Sequence, residues 1–188
     1  MKILQMGALA ALLSIAGCAV QREPRGGREP IMGRDGVGVA QMERFVLRHN
    51  PAADRSQVRR LADIYRKECK AEGVRASVAF CQMCLETNFL AFTGDVSADQ
   101  NNFCGYGATG GGRRGVRFPS LESGVRAQVQ HLKAYATSTP TRRRCIDGRR
   151  KLVALGSAPY VNDLSGQWAA DPSYGAKICR LLRELCNE

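Results

Sequence analysis

Apolar residues recur at helical spacing along most of the chain. Val58, Leu61, Tyr65 and Cys69 fall on one face of a helix that Asp54 or Ser56 can cap and that Gly73 stops. A second helix runs from about Arg75 to Glu86, with Val78, Ala79, Gln82 and Leu85 recurring. Ser120 opens a third, carrying Val125, Val129, Leu132 and Tyr135, and a short helix is expected to end at Leu155-Gly156. Asp171-Pro172 supplies N-cap and first-turn residues for a last helix whose Tyr174, Ile178, Leu181 and Leu185 share a face. Between the second and third helices, residues 94–118 form a long loop rich in Gly and Asn. Convincing alternation of apolar and polar residues at period 2 is absent. The predicted fold is mainly α, with room for a small β-hairpin inside the Gly-rich loop.

The first residues follow another pattern. Lys2 precedes an uncharged, largely apolar run from Ile3 to Gly17, 15 residues long. A bilayer-spanning helix needs about 20 such residues, whereas a secretory signal needs fewer. The run ends Leu-Leu-Ser-Ile-Ala-Gly-Cys, which resembles a bacterial lipobox and implies diacylation of Cys18. By the same resemblance, Ala19 after that cysteine implies sorting to an outer membrane, facing the periplasm. Residues 1–17 are therefore expected to be a lipoprotein signal, 18–40 a flexible tether and 41–188 the folded domain, helical from about Val39. With 188 residues, 44% of them hydrophobic, the chain can build one domain with a core.

The stretch Ala79-Phe80-Cys81-Gln82-Met83-Cys84-Leu85-Glu86-Thr87-Asn88-Phe89 ends a helix with a lone acid in apolar company. The negative end of the helix dipole and the low polarity of the neighbours both disfavour ionisation of Glu86. A carboxylic acid kept protonated near neutral pH suits general acid catalysis. A solvated helix-end glutamate is the plainer alternative.

"VAFCQMCLETNF", then "NNFCGYG", then Trp168-Ala169-Ala170-Asp171-Pro172-Ser173-Tyr174-Gly175-Ala176-Lys177-Ile178 occur in that order. Together they resemble the endo-β-N-acetylglucosaminidase family of bacterial autolysins and flagellar peptidoglycan hydrolases. The resemblance spans about Val58 to Leu185 and implies a lysozyme-like helical domain with a groove for glycan strands. It places the catalytic acid at Glu86 and assigns Tyr174 to the sugar's acetamido region. Asn102, Phe103, Gly105 and Tyr106 fall in the segment expected to line the substrate groove, while Trp168 is expected to pack in the core.

Many members of the family carry a second acid between the Asn-rich segment and the next helix. Here Gly105 to Pro119 holds no Asp or Glu. Asp95, Asp99 and Glu122 are the nearest candidates for a second acid, and Glu122 in a first helical turn is accounted for by the dipole alone. The expected mechanism is therefore substrate-assisted, with the 2-acetamido group attacking its own anomeric carbon. The rivals are a lytic transglycosylase and a catalytically silent, cationic wall-binding lipoprotein.

The formal net charge of +11 points to anionic partners. From Arg113 to Lys151 eleven Lys or Arg face only Glu122 and Asp147. Peptidoglycan carboxylates and lipopolysaccharide phosphates are the expected partners; nucleic acid is not, because stacking aromatics are sparse there. Seven cysteines remain beside Cys18. Cys179 and Cys186, about 10 Å apart along a helix, are too far apart to bond to each other. A bridge from Cys104 to Cys81 or Cys84 would pin the Asn-rich loop to the helix that carries Glu86. No cofactor and no metal are expected, since neither His49 nor His131 has ligand spacing to the cysteines.

Overall fold

The computed structural model of the protein describes residues 28–108 and 115–188. Its described residues build five α-helices: α1 (Val39–His49), α2 (Arg55–Glu72), α3 (Ala76–Thr87), α4 (Leu121–Ala136) and α5 (Tyr174–Cys186). The mainly α architecture is as expected. Cys18, the signal region and Gly110-Gly111-Gly112 lie outside the described residues.

Helix α3 is the axis of the domain. Every residue from Ala76 to Cys84 is buried, and the helix packs against α2, α4 and α5. A helix apolar on all sides is stable only when surrounded. The outer helices each turn one stripe inward. In α2 that stripe includes Val58, Leu61, Tyr65 and Cys69, while Asp54 accepts from the N–H of Gln57 at 2.7 Å and Gly73 closes the helix. Ser120 caps α4 by accepting from the N–H of Ser123 at 3.2 Å.

Several expectations needed correction. Helix α5 starts at Tyr174 rather than directly after Asp171. The Asp171 side chain accepts from Ser173 N–H at 2.8 Å and its carbonyl from Tyr174 N–H at 3.1 Å, so the Asp-Pro pair makes a turn before the helix. The short helix expected to end at Gly156 is a single 3-10 turn, Arg150–Leu152. Among the described residues the long loop forms no strand. Asparagine side chains take up its backbone groups instead: Asn101 Nδ2 donates to Phe118 O at 3.0 Å, and Asn102 Nδ2 to Val116 O at 3.0 Å.

The segment expected to be tether packs on the domain from residue 28 onward. Ile31 is fully buried, its N–H donates to Pro159 O at 3.1 Å and its carbonyl accepts from Arg75 N–H at 2.9 Å. Asp35 accepts from Ser77 N–H at 2.8 Å, supplying from a distance the cap that Arg75 cannot give α3.

Part of the predicted cationic patch is used internally. Lys133 is buried and donates to fully buried Glu72 at 2.9 Å. Arg126 and Arg143 pair with buried Glu68 at 3.0 and 2.8 Å. Burial works to raise the Glu72 carboxyl, but the N–H groups of Arg142 and Arg143, with Lys133 and Gln130, hold it below the ordinary carboxylate value. These bonds fasten α2, α4 and the Arg142–Arg143 segment together. The seven cysteines of the described residues are all free thiols, so the expected bridge from Cys104 to α3 is not formed. None of the described helices is long and apolar enough to cross a membrane.

Candidate active site

Glu86 sits in the last turn of α3, and the residues after it fix that end. Thr87 donates its hydroxyl to Met83 O at 2.8 Å and accepts from Leu90 N–H at 2.9 Å. Asn88, Phe89 and Leu90 then turn through three consecutive left-handed conformations, a strained path that the surroundings must hold. Two contacts do so: Asn50 Nδ2 donates to Phe89 O at 2.9 Å, and the Phe89 ring stacks on His49 at 4.0 Å. The Thr-Asn-Phe sequence after the acid is thus a fastening for the helix end that carries Glu86.

The carboxylate itself is half-buried and asymmetrically dressed. Tyr174, at the start of α5, donates its hydroxyl to Oε1. The indole N–H of Trp168 donates to the same oxygen at 3.2 Å. Oε2 accepts no hydrogen bond from the described residues and lies on the side of Gly105, where a Cβ would stand 3.5 Å from it. Burial raises the Glu86 pKa, and the bonds from Tyr174 and Trp168 pull part of that rise back. Burial and the adjacent carboxylate keep the Tyr174 hydroxyl well above its usual pKa, so it remains a donor.

Tyr174 is buried, its hydroxyl committed to Glu86 and to Gln82, whose Nε2 donates to it at 3.0 Å. In this structure the hydroxyl contacts the carboxylate; its expected role at the sugar's acetamido group is not tested by these contacts. Trp168, expected to be a core residue, reaches the site with its N–H. A single tryptophan in an apolar neighbourhood gives no sign of where its nitrogen points.

The Asn-rich segment approaches Glu86 at Gly105, and its larger side chains turn inward. Asn102 is fully buried. Its amide donates to Tyr106 O at 2.9 Å and accepts from Tyr106 N–H at 2.8 Å, closing a local turn, while its bond to Val116 O joins the two arms of the loop. Phe103 and Tyr106 are also buried. Tyr106 donates its hydroxyl to Asp147 at 2.5 Å and accepts from Arg149 N–H at 2.7 Å. Asn102, Phe103 and Tyr106 therefore hold the loop from inside, and Gly105 is the member of the set that meets Glu86.

None of the three candidate second acids bonds to Glu86, and no neighbouring carboxylate contributes to its raised pKa. Asp95 is exposed. Asp99, also exposed, is held down at about 2 by Ser97 and Arg117. Glu122 pairs with Arg60 at 3.2 Å across to α2. Residues 109–114, outside the described residues, contain no Asp or Glu. No group of three or more His, Cys, Asp or Glu suited to a metal occurs among the described residues.

This arrangement, a half-buried acid with one oxygen left without a donor and no partner carboxylate among the described residues, is suited to delivering and recovering a single proton. A protein of Borreliella burgdorferi described as uncharacterized is 40% identical over 151 residues, covering 79% of this chain and 74% of its own length. The family pattern described as mannosyl-glycoprotein endo-β-N-acetylglucosaminidase matches residues 62–187, from the first half of α2 to the end of α5. The chain belongs to this glucosaminidase family of glycan hydrolases.

Proposed function

We propose that the protein is a peptidoglycan hydrolase that cleaves the β-1,4 bond after N-acetylglucosamine, with Glu86 as general acid and then general base. The observation that carries this reading is the isolation of Glu86, raised by burial and met by two donors but, among the described residues, by no second carboxylate. In the first step Glu86 protonates the bridging oxygen as the bond from the anomeric carbon to that oxygen breaks. The 2-acetamido oxygen of the same sugar bonds to the anomeric carbon and closes an oxazolinium ring. The Glu86 carboxylate then takes a proton from water, whose oxygen opens the ring and leaves a reducing end. Oxazolinium formation makes a second protein nucleophile unnecessary. The lipobox-like sequence before Cys18 supports a lipid anchor outside the cytoplasm, which the mass of the membrane-extracted chain tests. Wall carboxylates and lipopolysaccharide phosphates are the proposed anionic partners of the unpaired basic side chains.

The test is mass spectrometry of purified peptidoglycan digested by the wild type and by Glu86→Gln. The expected products are fragments with reducing N-acetylglucosamine ends, lost in the variant by roughly 10²-fold or more. Anhydro-sugar ends would assign a lytic transglycosylase instead. Retention of the wall by both proteins with no fragment from either would leave a binding lipoprotein.

A further inference from the structure

Behind Tyr174 a file of side-chain hydrogen bonds crosses the whole core. The hydroxyl of Tyr65 on α2 meets Oε1 of Gln128 on α4. Nε2 of Gln128 lies 2.8 Å from Oε1 of Gln82 on α3, and Nε2 of Gln82 lies 3.0 Å from the Tyr174 hydroxyl on α5. Tyr174 then reaches Oε1 of Glu86. Tyr65, Gln128 and Gln82 are fully buried, so water does not complete these bonds.

One backbone group sets the direction of the file. Nε2 of Gln128 also lies 3.0 Å from the carbonyl of Ala79, and a carbonyl only accepts. The Gln128 amide must therefore present its NH₂ there and toward Gln82, and its oxygen toward Tyr65. Gln82 must answer with oxygen on that side, which turns its own NH₂ to Tyr174. The Tyr174 oxygen accepts that bond, so its single proton goes to Glu86. Reversing any one member would set two donors or two acceptors face to face inside the core, a costly arrangement. Aligned bonds of this kind also polarise one another.

We infer that this file fixes which oxygen of Glu86 carries the transferable proton. Oε1 already receives Tyr174 from behind and the Trp168 N–H from the side, so a proton on Oε1 would point at another donor. Oε2, which accepts from no described residue and lies beside Gly105, carries it instead. Gln82, Gln128 and Tyr65 are positioning residues, acting through Tyr174 on the orientation of the acid. The other groups near Glu86 among the described residues do not compete. The Cys104 thiol is pushed well above its usual range by burial, and His131 meets Trp168 through ring contact alone. The inference rests on Glu86 being the general acid, but the position of its proton is observable without turnover.

Neutron diffraction of the wild-type protein at acid pH reads it directly. The expected map has deuterium on Oε2, with the Gln82 NH₂ toward Tyr174; deuterium on Oε1, or a reversed Gln82 amide, overturns the inference. Kinetics give an independent reading on chitooligosaccharide or peptidoglycan substrate. Gln82→Met, similar in volume, should lower kcat by about tenfold with KM held within about twofold. It should also move the alkaline limb of the kcat/KM profile to higher pH, because a less polarised Tyr174 supports the carboxylate less. Gln128→Glu, which forces Gln82 to turn around, should move the limb as far as Tyr174→Phe does, and combining it with Tyr174→Phe should add nothing. A Gln82→Met protein that loses only thermal stability, with kcat and limb unmoved, overturns the positioning role. Activity persisting in Glu86→Gln with deuterium on Oε2 in the wild type would instead remove the general-acid reading and leave the proton placement standing.

Discussion

The indole nitrogen of Trp168 stands 3.2 Å from Oε1 of Glu86, while the edge of the same ring system meets His131 with centroids 5.0 Å apart. His131 is held in turn, its Nδ1 lying 3.0 Å from Asp147 Oδ2. Asp147 also accepts the hydroxyl of Tyr106 from the groove wall. One buried carboxylate thereby aligns α4, the loop that carries Gly105 and the ring that dresses Glu86. The donor to Glu86 is preorganised, which is what makes a hydrogen bond useful to a charge that appears only during reaction.

Replacing Trp168 by Phe keeps a ring against His131 and Tyr135 and removes the N–H. Glu86 ionises less readily when it loses one of its two donors, so its pKa rises further. A general acid works while protonated, so activity falls as pH rises through that pKa. The alkaline limb of the kcat/KM profile should therefore move to higher pH in Trp168→Phe, with kcat at the optimum lower by roughly 10–100-fold. An unmoved limb would show that the indole packs near Glu86 without acting on it.

Glu86 should also weaken the fold that holds it. Its folded pKa is raised by burial above the unfolded value. Protonated, it sits in the native state without an added charge; as pH rises through the folded pKa, the native state must bear the buried charge and stability is lost. Below the unfolded value of about 4.3 both states are protonated and the effect vanishes. Glu86→Gln should thus match wild type in Tm near pH 3.5 and exceed it near pH 7.5. Each kcal/mol relieved reads as about 2–4 °C in a chain of this size. Calorimetry across that range checks the sign, and a variant less stable than wild type at pH 7.5 would count against it.

The helices and the apolar setting of Glu86 are legible in the sequence, and the gaps have physical causes. Glu86 stood out because an acid among Cys84, Leu85 and Phe89 has no solvating company. Helices α2 and α4 announced themselves through spacing and caps, whereas the sequence reading gave α1 only as a helical start near Val39. Its cap position is Gly38, which has no side chain to signal a start. The direction of a side chain was not legible. The nitrogen of Trp168 and the amide of Gln82 show their roles only once α3 and α5 are side by side. Charge was misplaced for a related reason. Lys133 belongs to a run that reads as a cationic surface, yet its partner Glu72 lies 61 residues earlier and neutralises it in the core. Pairing over such separations leaves no trace in local composition.

Gly105 offers the sharpest separation of chemistry from stability. Its φ of 63° is left-handed, and a Cβ there would lie 3.5 Å from Oε2 of Glu86, at ordinary contact distance. Alanine at this position costs about 1–2 kcal/mol for the backbone conformation, and its methyl covers the oxygen assigned to proton transfer. Gly107 in the same loop, with φ of 75°, supplies the comparison. The nearest atoms to a Cβ there belong to Val116, at 3.2 Å, and Arg149, at 3.6 Å. Gly105→Ala and Gly107→Ala should therefore lose similar thermal stability, while only Gly105→Ala loses turnover, by about tenfold or more at a temperature where both remain folded. Differential scanning calorimetry beside initial rates makes the comparison. Equal turnover in the two variants would mean that the glycosidic oxygen does not approach Glu86 from the Gly105 side, and the groove would then have to open along another face of the carboxylate.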